Sequence, residues 1–120
     1  MEFSDLARLA SGHVEARIVQ AAVELEIFDA IGNDALEAGT VGKSLNLEPR
    51  ATDLMLNALT ALGLLRKRAD RFGLTDLSAK YLTRGTPEYL GGMIRFDASL
   101  WPCWEQLPEA IRNGRPRSAA

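Results

Sequence analysis

The side chains that most often carry out chemistry are scarce in this chain of 120 residues. Cys103 is the single cysteine, which excludes an internal disulfide framework and a cysteine-rich zinc site. His13 is the single histidine, and a lone histidine on a long helix is more often structural than catalytic. We therefore predict no catalytic residue and no metal site in this chain. Cys103 is expected to serve as a small apolar side chain on a helix.

Gly91 and Gly92 form an adjacent pair that could be compared with a phosphate-binding loop. Such a loop follows a buried strand, and an acidic residue for the ribose comes at a later spacing. Here the context is helical, with neither the strand before the pair nor the acid after it. We therefore predict no cofactor-binding residue. Because two glycines inside a helix cost about 1 kcal/mol each relative to alanine, we expect another backbone to approach them closely.

The clearest basic cluster comprises Arg66, Lys67, Arg68 and Arg71. The predicted helix before it, over residues 49–62, carries only Arg50 and Asp53 as charges, and these cancel. A helix that reads the major groove offers several basic or amide side chains to the nucleic acid. The net charge of -2 also provides no overall attraction for phosphate backbones or anionic membranes. We therefore predict a solvated basic cluster, with neither a nucleic acid nor a membrane as partner.

The elements that must position these residues begin with a long helix, which Ser4 or Asp5 can cap and which Gly32 ends. Its apolar side chains occupy more than one stripe. Because a surface helix presents a single apolar stripe, the surplus predicts a second partner surface, from this chain or from another subunit. On this ground we predict that a homodimer interface includes the side chains of Leu9, Val14, Ile18, Val19 and Val23.

The middle of the chain predicts a helix, a turn, a second helix and a hairpin. A short helix from residue 36 or 40 to 45 precedes the helix over 49–62, where Pro49 suits the first turn and Gly63 suits a left-handed stop. Two short stretches with partial apolar and polar alternation within 64–74 then read as a small hairpin. This order predicts a mainly α, winged-helix-like helical domain with a small two-stranded β hairpin.

The C-terminal third is predicted to be helical. Thr75 caps a short helix, and a further helix that contains the glycine pair starts at residues 86–88. A last helix spans 101–113 and ends at Gly114, and Pro108 should kink or restart it.

Length and composition indicate one globular domain over residues 1–114, with a linker or disordered tail over 115–120. The first residues lack the basic start and apolar run of a signal peptide, and no segment approaches 18 consecutive apolar residues. Together with the single cysteine, these features predict a protein of the reducing cytoplasm.

Four segments in this order carry a resemblance to a known family: LASGH at 9–13, IVQAAVELEIFD at 18–29, EPRATDLMLNAL at 48–59 with LGLL at 62–65, and RFGLT at 71–75. They resemble the N-terminal dimerisation domain of the plant-type and bacterial small-molecule O-methyltransferases, which depend on S-adenosylmethionine. The likeness covers nearly the whole chain.

Two positions and one helix depart from the pattern of that family. Glu26 stands where the family often has glycine, and Glu48 stands where it often has aspartate, so Glu48 is expected to cap its helix less well. The helix over 40–45 is weaker than the usual acidic, alanine-rich version. These departures bear on local stability more than on membership.

The resemblance implies a parent enzyme that transfers a methyl group from S-adenosylmethionine to a small hydroxylated metabolite, with an aromatic acceptor expected. In such enzymes a second, doubly wound domain binds the cofactor and supplies the general base, a histidine. We expect that domain to be absent from this chain, which would then be a truncated piece that binds no cofactor and catalyses nothing alone. Its role would be to pair two subunits and to close the acceptor pocket, and its partners would be its own copy and the catalytic domain of either subunit.

The segment after the glycine pair lies where this family's two domains meet. Met93, Phe96 and Trp101 are our candidates for contact with the substrate, although core or inter-domain packing is the commoner role for any one of them. His13 keeps a minor substrate-facing role open, because it lies near the implied subunit contact.

Two other functions stay open from the sequence. A winged-helix transcription regulator that dimerises through its first and last helices would also explain the basic cluster. A free-standing interaction module without a catalytic partner is the other alternative.

Overall fold

The computed structural model describes residues 1–115. The predicted tail at 115–120 therefore lies outside the described residues, apart from Arg115. The helices are α1 (Phe3–Glu24), α2 (Ile27–Ile31), α3 (Ala38–Leu45), α4 (Pro49–Ala61), α5 (Asp76–Tyr81), α6 (Gly91–Ser99), α7 (Trp101–Glu105) and α8 (Leu107–Asn113). The strands are β1 (Leu36–Glu37), β2 (Leu65–Arg68) and β3 (Arg71–Leu74). The prediction of a mainly α domain with a small β sheet is confirmed.

The first predicted helix is divided, and it starts earlier than predicted. Glu2 is its N-cap, so the assignment of the cap to Ser4 or Asp5 was wrong. Asp5 instead stands at the third helical position, where its carboxylate accepts the Glu2 N–H at 2.9 Å. At the other end, Glu26 has a left-handed backbone with φ of 63° and separates α1 from α2. Glycine adopts this conformation without steric cost, which fits the glycine that the resemblance leads one to expect here.

The α3–α4 pair matches the sequence signals closely. Pro49 lies at the start of α4, and the Glu48 carboxylate accepts the Ala51 N–H at 2.6 Å, so glutamate does cap this helix. Gly63 follows with φ of +85°, as the predicted left-handed stop requires. Between the two helices, the buried Thr52 lies close to Gly42, because a Cβ added at Gly42 would meet the Thr52 Oγ1 at 3.4 Å.

The sheet has three antiparallel strands in the order β1, β3, β2, so the prediction of a two-stranded hairpin was incomplete. The β2–β3 hairpin was predicted, and its register pairs Leu65 with Leu74 and Arg68 with Arg71. The third strand, β1, contributes only two residues, which is too short for an alternating pattern to be visible in sequence. Phe72 and Leu74 turn one face of β3 into the core.

The hairpin turn offers a first prediction. Ala69 and Asp70 both have positive φ, 50° and 63°, which is the requirement of a type I′ turn. Alanine pays about 1–2 kcal/mol for the left-handed region, whereas Asn-Gly suits this turn. The double change Ala69→Asn with Asp70→Gly is therefore expected to raise the free energy of unfolding by about 1 kcal/mol, or Tm by about 4 °C.

Thermal unfolding followed by circular dichroism measures this gain. Ala61→Gly serves as the control, because it places a glycine in a helical position, where it should lower Tm instead. An unchanged Tm in the double variant would contradict the strain assigned to the turn.

The core lies between α2, α3, α4 and the sheet, with the C-terminal end of α1 packed on it. Its fully buried large side chains are Phe28, Phe72, Ile27, Ile31, Leu56, Leu59 and Val41. At an accepted figure of about 1.5–3 kcal/mol for each fully buried apolar side chain, this cluster is the main favourable term for the fold.

The C-terminal third corrects two predictions and confirms two. The helix predicted from residues 86–88 starts at Gly91, so the glycine pair lies in the first turn of α6 and not in a helix interior. Thr75 caps α5 by accepting the Ser78 N–H at 3.2 Å, as predicted. The predicted restart near Pro108 is confirmed, because α7 ends before Gln106 and the proline stands in the first turn of α8.

Candidate functional site

Two parts of the chain extend away from the core. In α1, all residues from 6 to 17 are exposed, and neither α7 nor α8 has a buried residue. The Cα radius of gyration is 16.9 Å, whereas a compact domain of this length has about 13–14 Å. We call the exposed part of α1, residues 3–17, the N-terminal arm, and α7 with α8 the C-terminal arm.

Both arms carry large apolar side chains in contact with solvent. On the N-terminal arm Phe3 is 84% exposed and Leu9 is 67% exposed, and on the C-terminal arm Ile111 is 77% exposed. The other large apolar side chains exposed on the arms are Leu6, Val14, Trp104 and Leu107. Single exposed apolar residues are ordinary on protein surfaces, whereas larger apolar patches are typical of interaction surfaces.

The five residues predicted for a dimer interface divide into two groups. Leu9 and Val14 lie on the N-terminal arm and are exposed, as an interface requires. Ile18 and Val19 are half-buried, and Ile18 packs against the chain's own core. Val23 is 3% exposed and belongs to that core. The surplus of apolar side chains in α1 is therefore shared between its own domain and a free surface.

The residues predicted to contact substrate lie on α6 and α7. Met93 and Phe96 are one helical turn apart on α6 and are exposed by 57% and 63%, so they form one apolar patch. Trp101 is half-buried, and its indole N–H donates to Oε1 of Gln20 on α1. The structure thus brings Met93 and Phe96 together, whereas Trp101 ties the start of α7 to α1.

A polar cluster at the α1–α6 junction was not predicted. The Tyr89 hydroxyl accepts a hydrogen bond from Arg95 at 2.7 Å, and Arg95 also donates to the Val23 carbonyl at 3.1 Å, close to the C-terminus of α1. Arg84 pairs with the Glu26 carboxylate at 2.8 Å. The pKa of the Arg84 guanidinium is raised, first by its hydrogen bond with Tyr89 and then by Glu26.

This cluster joins the break between α1 and α2 to the first turn of α6. The only sequence signal for it was the glycine pair, for which we expected a nearby backbone. The structure shows instead the Tyr89 side chain lying against Gly91, where a Cβ atom would overlap the phenol. Among residues 1–115, nothing lies within 4 Å of the position that a Cβ would take at Gly92.

The residues first considered for chemistry are not assembled into a reactive site. His13 is exposed on the N-terminal arm, and Cys103 is a free, half-buried thiol on α7. Within residues 1–115 no group of three or more histidine, cysteine or acidic side chains could hold a metal ion. No helix among these residues is long and apolar enough to cross a membrane.

Comparison with known proteins gives a family and several relatives. A family model described as the O-methyltransferase dimerisation domain matches residues 7–84. The chain is 34% identical over 112 residues to 3-hydroxy-5-methyl-1-naphthoate 3-O-methyltransferase of Streptomyces sahachiroi, covering 92% of this chain and 32% of the relative. It is equally 34% identical over 112 residues to the tetracenomycin polyketide synthesis 8-O-methyl transferase TcmO of Streptomyces glaucescens, covering 92% of this chain and 33% of that relative.

A solved structure shares the fold as well. Human N-acetylserotonin methyltransferase, determined in complex with SAM, superposes with a TM-score of 0.85 at 27% identity over 96% of this chain and 35% of that one. The chain therefore spans about a third of the length of these relatives. The family model ends at residue 84, before α6, whereas the relatives and the solved structure cover more than 90% of this chain.

Proposed function

This chain belongs to the O-methyltransferase family through its dimerisation domain, and on that basis we propose that it pairs two subunits and closes the acceptor pocket of a small-molecule O-methyltransferase. The observation that carries the proposal is the pair of exposed apolar arms, which extend from a domain that already has a complete core of its own.

Pairing is supported by the distribution of apolar side chains. Phe3, Leu6 and Leu9 follow one another at a spacing of three residues, so they share one side of the N-terminal arm. A second copy would present the same side, as two-fold symmetry requires. Obligate dimers of this kind bury more than about 2,000 Å² in total, which two projecting helical arms from each subunit can supply. We infer a homodimer in which α1 packs against its symmetry mate and against the C-terminal arms.

The acceptor pocket is the second part of the proposal. Met93 and Phe96 offer an exposed apolar patch on α6, and Trp101 lies where α7 leaves it. Two relatives are named for a naphthoate and for a tetracenomycin polyketide, which are small molecules. We propose a small hydroxylated aromatic metabolite as the methyl acceptor, with Met93 and Phe96 against its rings.

The methyl donor would be S-adenosylmethionine, bound in a domain other than the one that residues 1–114 form. The related human structure is described as holding SAM, and it is about three times as long as this chain. We infer that residues 1–114 contribute no catalytic group and no cofactor contact, and that a catalytic domain of the same or the partner subunit supplies both. The cytoplasm remains our prediction for its location.

The test of pairing is a single charge on the N-terminal arm. Leu9→Asp places a carboxylate in the proposed interface, and we expect the mass in solution to fall from dimer to monomer while the circular dichroism spectrum of the chain is retained. The reason is that an unpaired charge is costly to bury between subunits, whereas Leu9 is largely exposed within one subunit. Light scattering from micromolar to millimolar concentration gives the mass.

Leu77→Asp is the matched control, because Leu77 is exposed by 55% but lies on α5, away from both arms. This variant should remain a dimer. A native chain that is monomeric at every concentration would contradict the proposal and would leave the arms to be covered by another domain.

DNA binding by a winged-helix regulator is the disfavoured alternative, because the family model and the relatives above are those of methyltransferases. Fluorescence anisotropy with duplex DNA at two salt concentrations separates the two functions. Binding driven by phosphate contacts weakens steeply as salt is raised. We expect no sequence-specific binding.

A further inference from the structure

The outer face of the β2–β3 hairpin concentrates three guanidinium groups. Because side chains alternate along a strand, Arg66 and Arg68 of β2 share one face. The register places Arg66 opposite Gly73 and Arg68 opposite Arg71, so Arg71 joins the same face. Phe72, between Gly73 and Arg71, points to the core and is 1% exposed. The arginine-bearing face is therefore the solvent side of the sheet.

This face is concave. It forms a cleft of about 530 Å³ lined by Ala35, Arg66, Lys67, Arg68, Arg71 and Gly73. Its volume falls within the range of roughly 300–1,000 Å³ that is usual for small-molecule sites. Gly73 has no side chain between the arginines, and a Cβ added there would lie 3.8 Å from the Asp34 carbonyl oxygen.

Two of the three arginines are oriented by the main chain. Arg66 donates through Nε to the Leu74 carbonyl at 3.2 Å, and Arg71 donates to the Ala35 carbonyl at 3.4 Å. Each guanidinium has five N–H donors, so most of them remain available. The Arg68 side chain makes no hydrogen bond or ion pair with any residue in the described range, 1–115. Its charge is thus left for a group from outside.

The arrangement is electrostatically unfavourable when the cleft holds no anion. Like charges directly opposite each other on neighbouring strands destabilise a sheet, and Arg68 faces Arg71 in this way. Glu37 offsets Arg71 only weakly, at 3.8 Å, with both side chains more than half exposed. Lys67 is also positively charged and cannot offset the arginines. Its Nζ donates a hydrogen bond to Oδ1 of Asn57 at 2.9 Å. Two acids, Asp34 and Asp76, line a neighbouring cleft that Arg66 lines as well.

We propose that this cleft binds a small molecule that carries two linked phosphate groups. Guanidinium forks match phosphate oxygens with paired hydrogen bonds. A diphosphate concentrates enough negative charge to engage Arg66, Arg68 and Arg71 together, whereas one carboxylate would engage a single arginine. A small ligand fits better than a duplex, because the adjacent helix α4 brings only Arg50 and Asp53 as charges. Such binding is independent of whether the chain forms a dimer.

Inorganic pyrophosphate is the probe for this site. Calorimetric titration of the native chain at low salt is expected to show one site per chain, and Arg68→Ala should weaken binding by at least about ten-fold, the loss of one charge-assisted contact. Arg50→Ala is the matched control, since Arg50 is also an exposed arginine but lies outside the cleft. Glu37→Gln should tighten binding, because it removes the carboxylate beside Arg71.

Thermal unfolding gives a second readout, in which the Tm of Arg68→Ala relative to the native chain should depend on whether the anion is present. Without the anion, Arg68→Ala should melt about 2–4 °C above the native chain, since it removes the repulsion with Arg71. With saturating pyrophosphate the native chain should gain stability by mass action, whereas the variant should gain little.

Equal affinity of the native and Arg68→Ala chains for pyrophosphate would overturn the proposal, because binding would then be diffuse. Duplex DNA that competes pyrophosphate away and loses affinity in Arg68→Ala would also overturn it, and would assign the face to nucleic acid.

Discussion

Replacing Val23 by aspartate is expected to unfold the chain, whereas replacing Val14 by aspartate is expected to leave it folded. Both residues are valines of α1 and lie nine positions apart, but Val23 is 3% exposed and Val14 is 47% exposed. Val23 belongs to the buried core cluster that also contains Ile27 and Phe28. A carboxylate at Val23 would therefore be buried without a partner.

The size of the effect follows from two terms. The loss of the apolar side chain costs about 1.5–3 kcal/mol, and an unpaired buried charge costs several kcal/mol more. A domain of this size has a total stability of about 5–15 kcal/mol, so Val23→Asp should leave little or none of it. Val14→Asp should change the unfolding free energy of one subunit by about 0.5 kcal/mol or less, as exposed positions do.

Urea unfolding and circular dichroism distinguish the outcomes. Val23→Ala keeps the site apolar and should remain folded, at a loss of about 2 kcal/mol for the methyl groups removed. A folded, monomeric Val23→Asp chain would contradict the structure, because it would place Val23 in a subunit interface and not in the core.

The sequence predicted those features that single residues decide locally. Pro49 and Gly63 marked the ends of α4 because their backbone preferences act within one turn, and Thr75 marked α5 because its hydroxyl caps its own helix. The β2–β3 hairpin was visible for the same reason. Its turn residues, Ala69 and Asp70, gave a break between two alternating stretches.

Features that depend on distant contacts were not predictable. The break at Glu26 uses a left-handed residue that is not glycine, next to Arg84, which is far along the chain. The strand β1 exists only because Leu36 meets Phe72 across the sheet. The start of α6 was placed too early, since the segment before Gly91 is fixed through Leu90 and Tyr81 of α5, whose carbonyl accepts the Leu90 N–H at 2.8 Å.

The candidate interface was only partly predictable for the same reason, because it too depends on distant contacts. The number of apolar residues in α1 predicted that two surfaces would need them, but periodicity cannot say which surface each residue faces. Only the packing of α6 and α4 against the C-terminal end of α1 separates Val23 from Leu9. Phe3, Trp104 and Ile111, which extend the exposed surface, were not in the predicted interface because the positions of the arms are not visible in sequence.

The two adjacent glycines of α6 are expected to respond in opposite ways to the same substitution. Alanine has the higher helix propensity, by up to about 1 kcal/mol in a helix interior and by less in the first turn of α6. At Gly92 nothing among residues 1–115 stands within 4 Å of the new methyl group, so Gly92→Ala should stabilise the chain. At Gly91 the methyl group would overlap the Tyr89 phenol, and the ring would have to leave. Gly91→Ala should therefore destabilise the chain.

The loss at Gly91 has two sources. Overpacking of this kind costs about 1–3 kcal/mol, and moving the phenol breaks its 2.7 Å hydrogen bond with the charged Arg95, worth about 1.5–3 kcal/mol when buried and less at this half-buried site. After the gain in helix propensity, we expect a net loss of about 2 kcal/mol, or some 8 °C in Tm. The C-terminus of α1 should loosen with it, because Arg95 also binds the Val23 carbonyl.

A double-mutant cycle isolates the contact between Gly91 and Tyr89. Tyr89→Ala removes the ring, so that adding Gly91→Ala to it should raise Tm and no longer lower it, since only the propensity gain remains. Tyr89→Phe keeps the overlap but removes the hydroxyl, so in that background Gly91→Ala should still destabilise. If Gly91→Ala lowered Tm equally with and without the Tyr89 ring, the glycine would be required by the backbone of α6, and the close packing of Tyr89 would not be its cause.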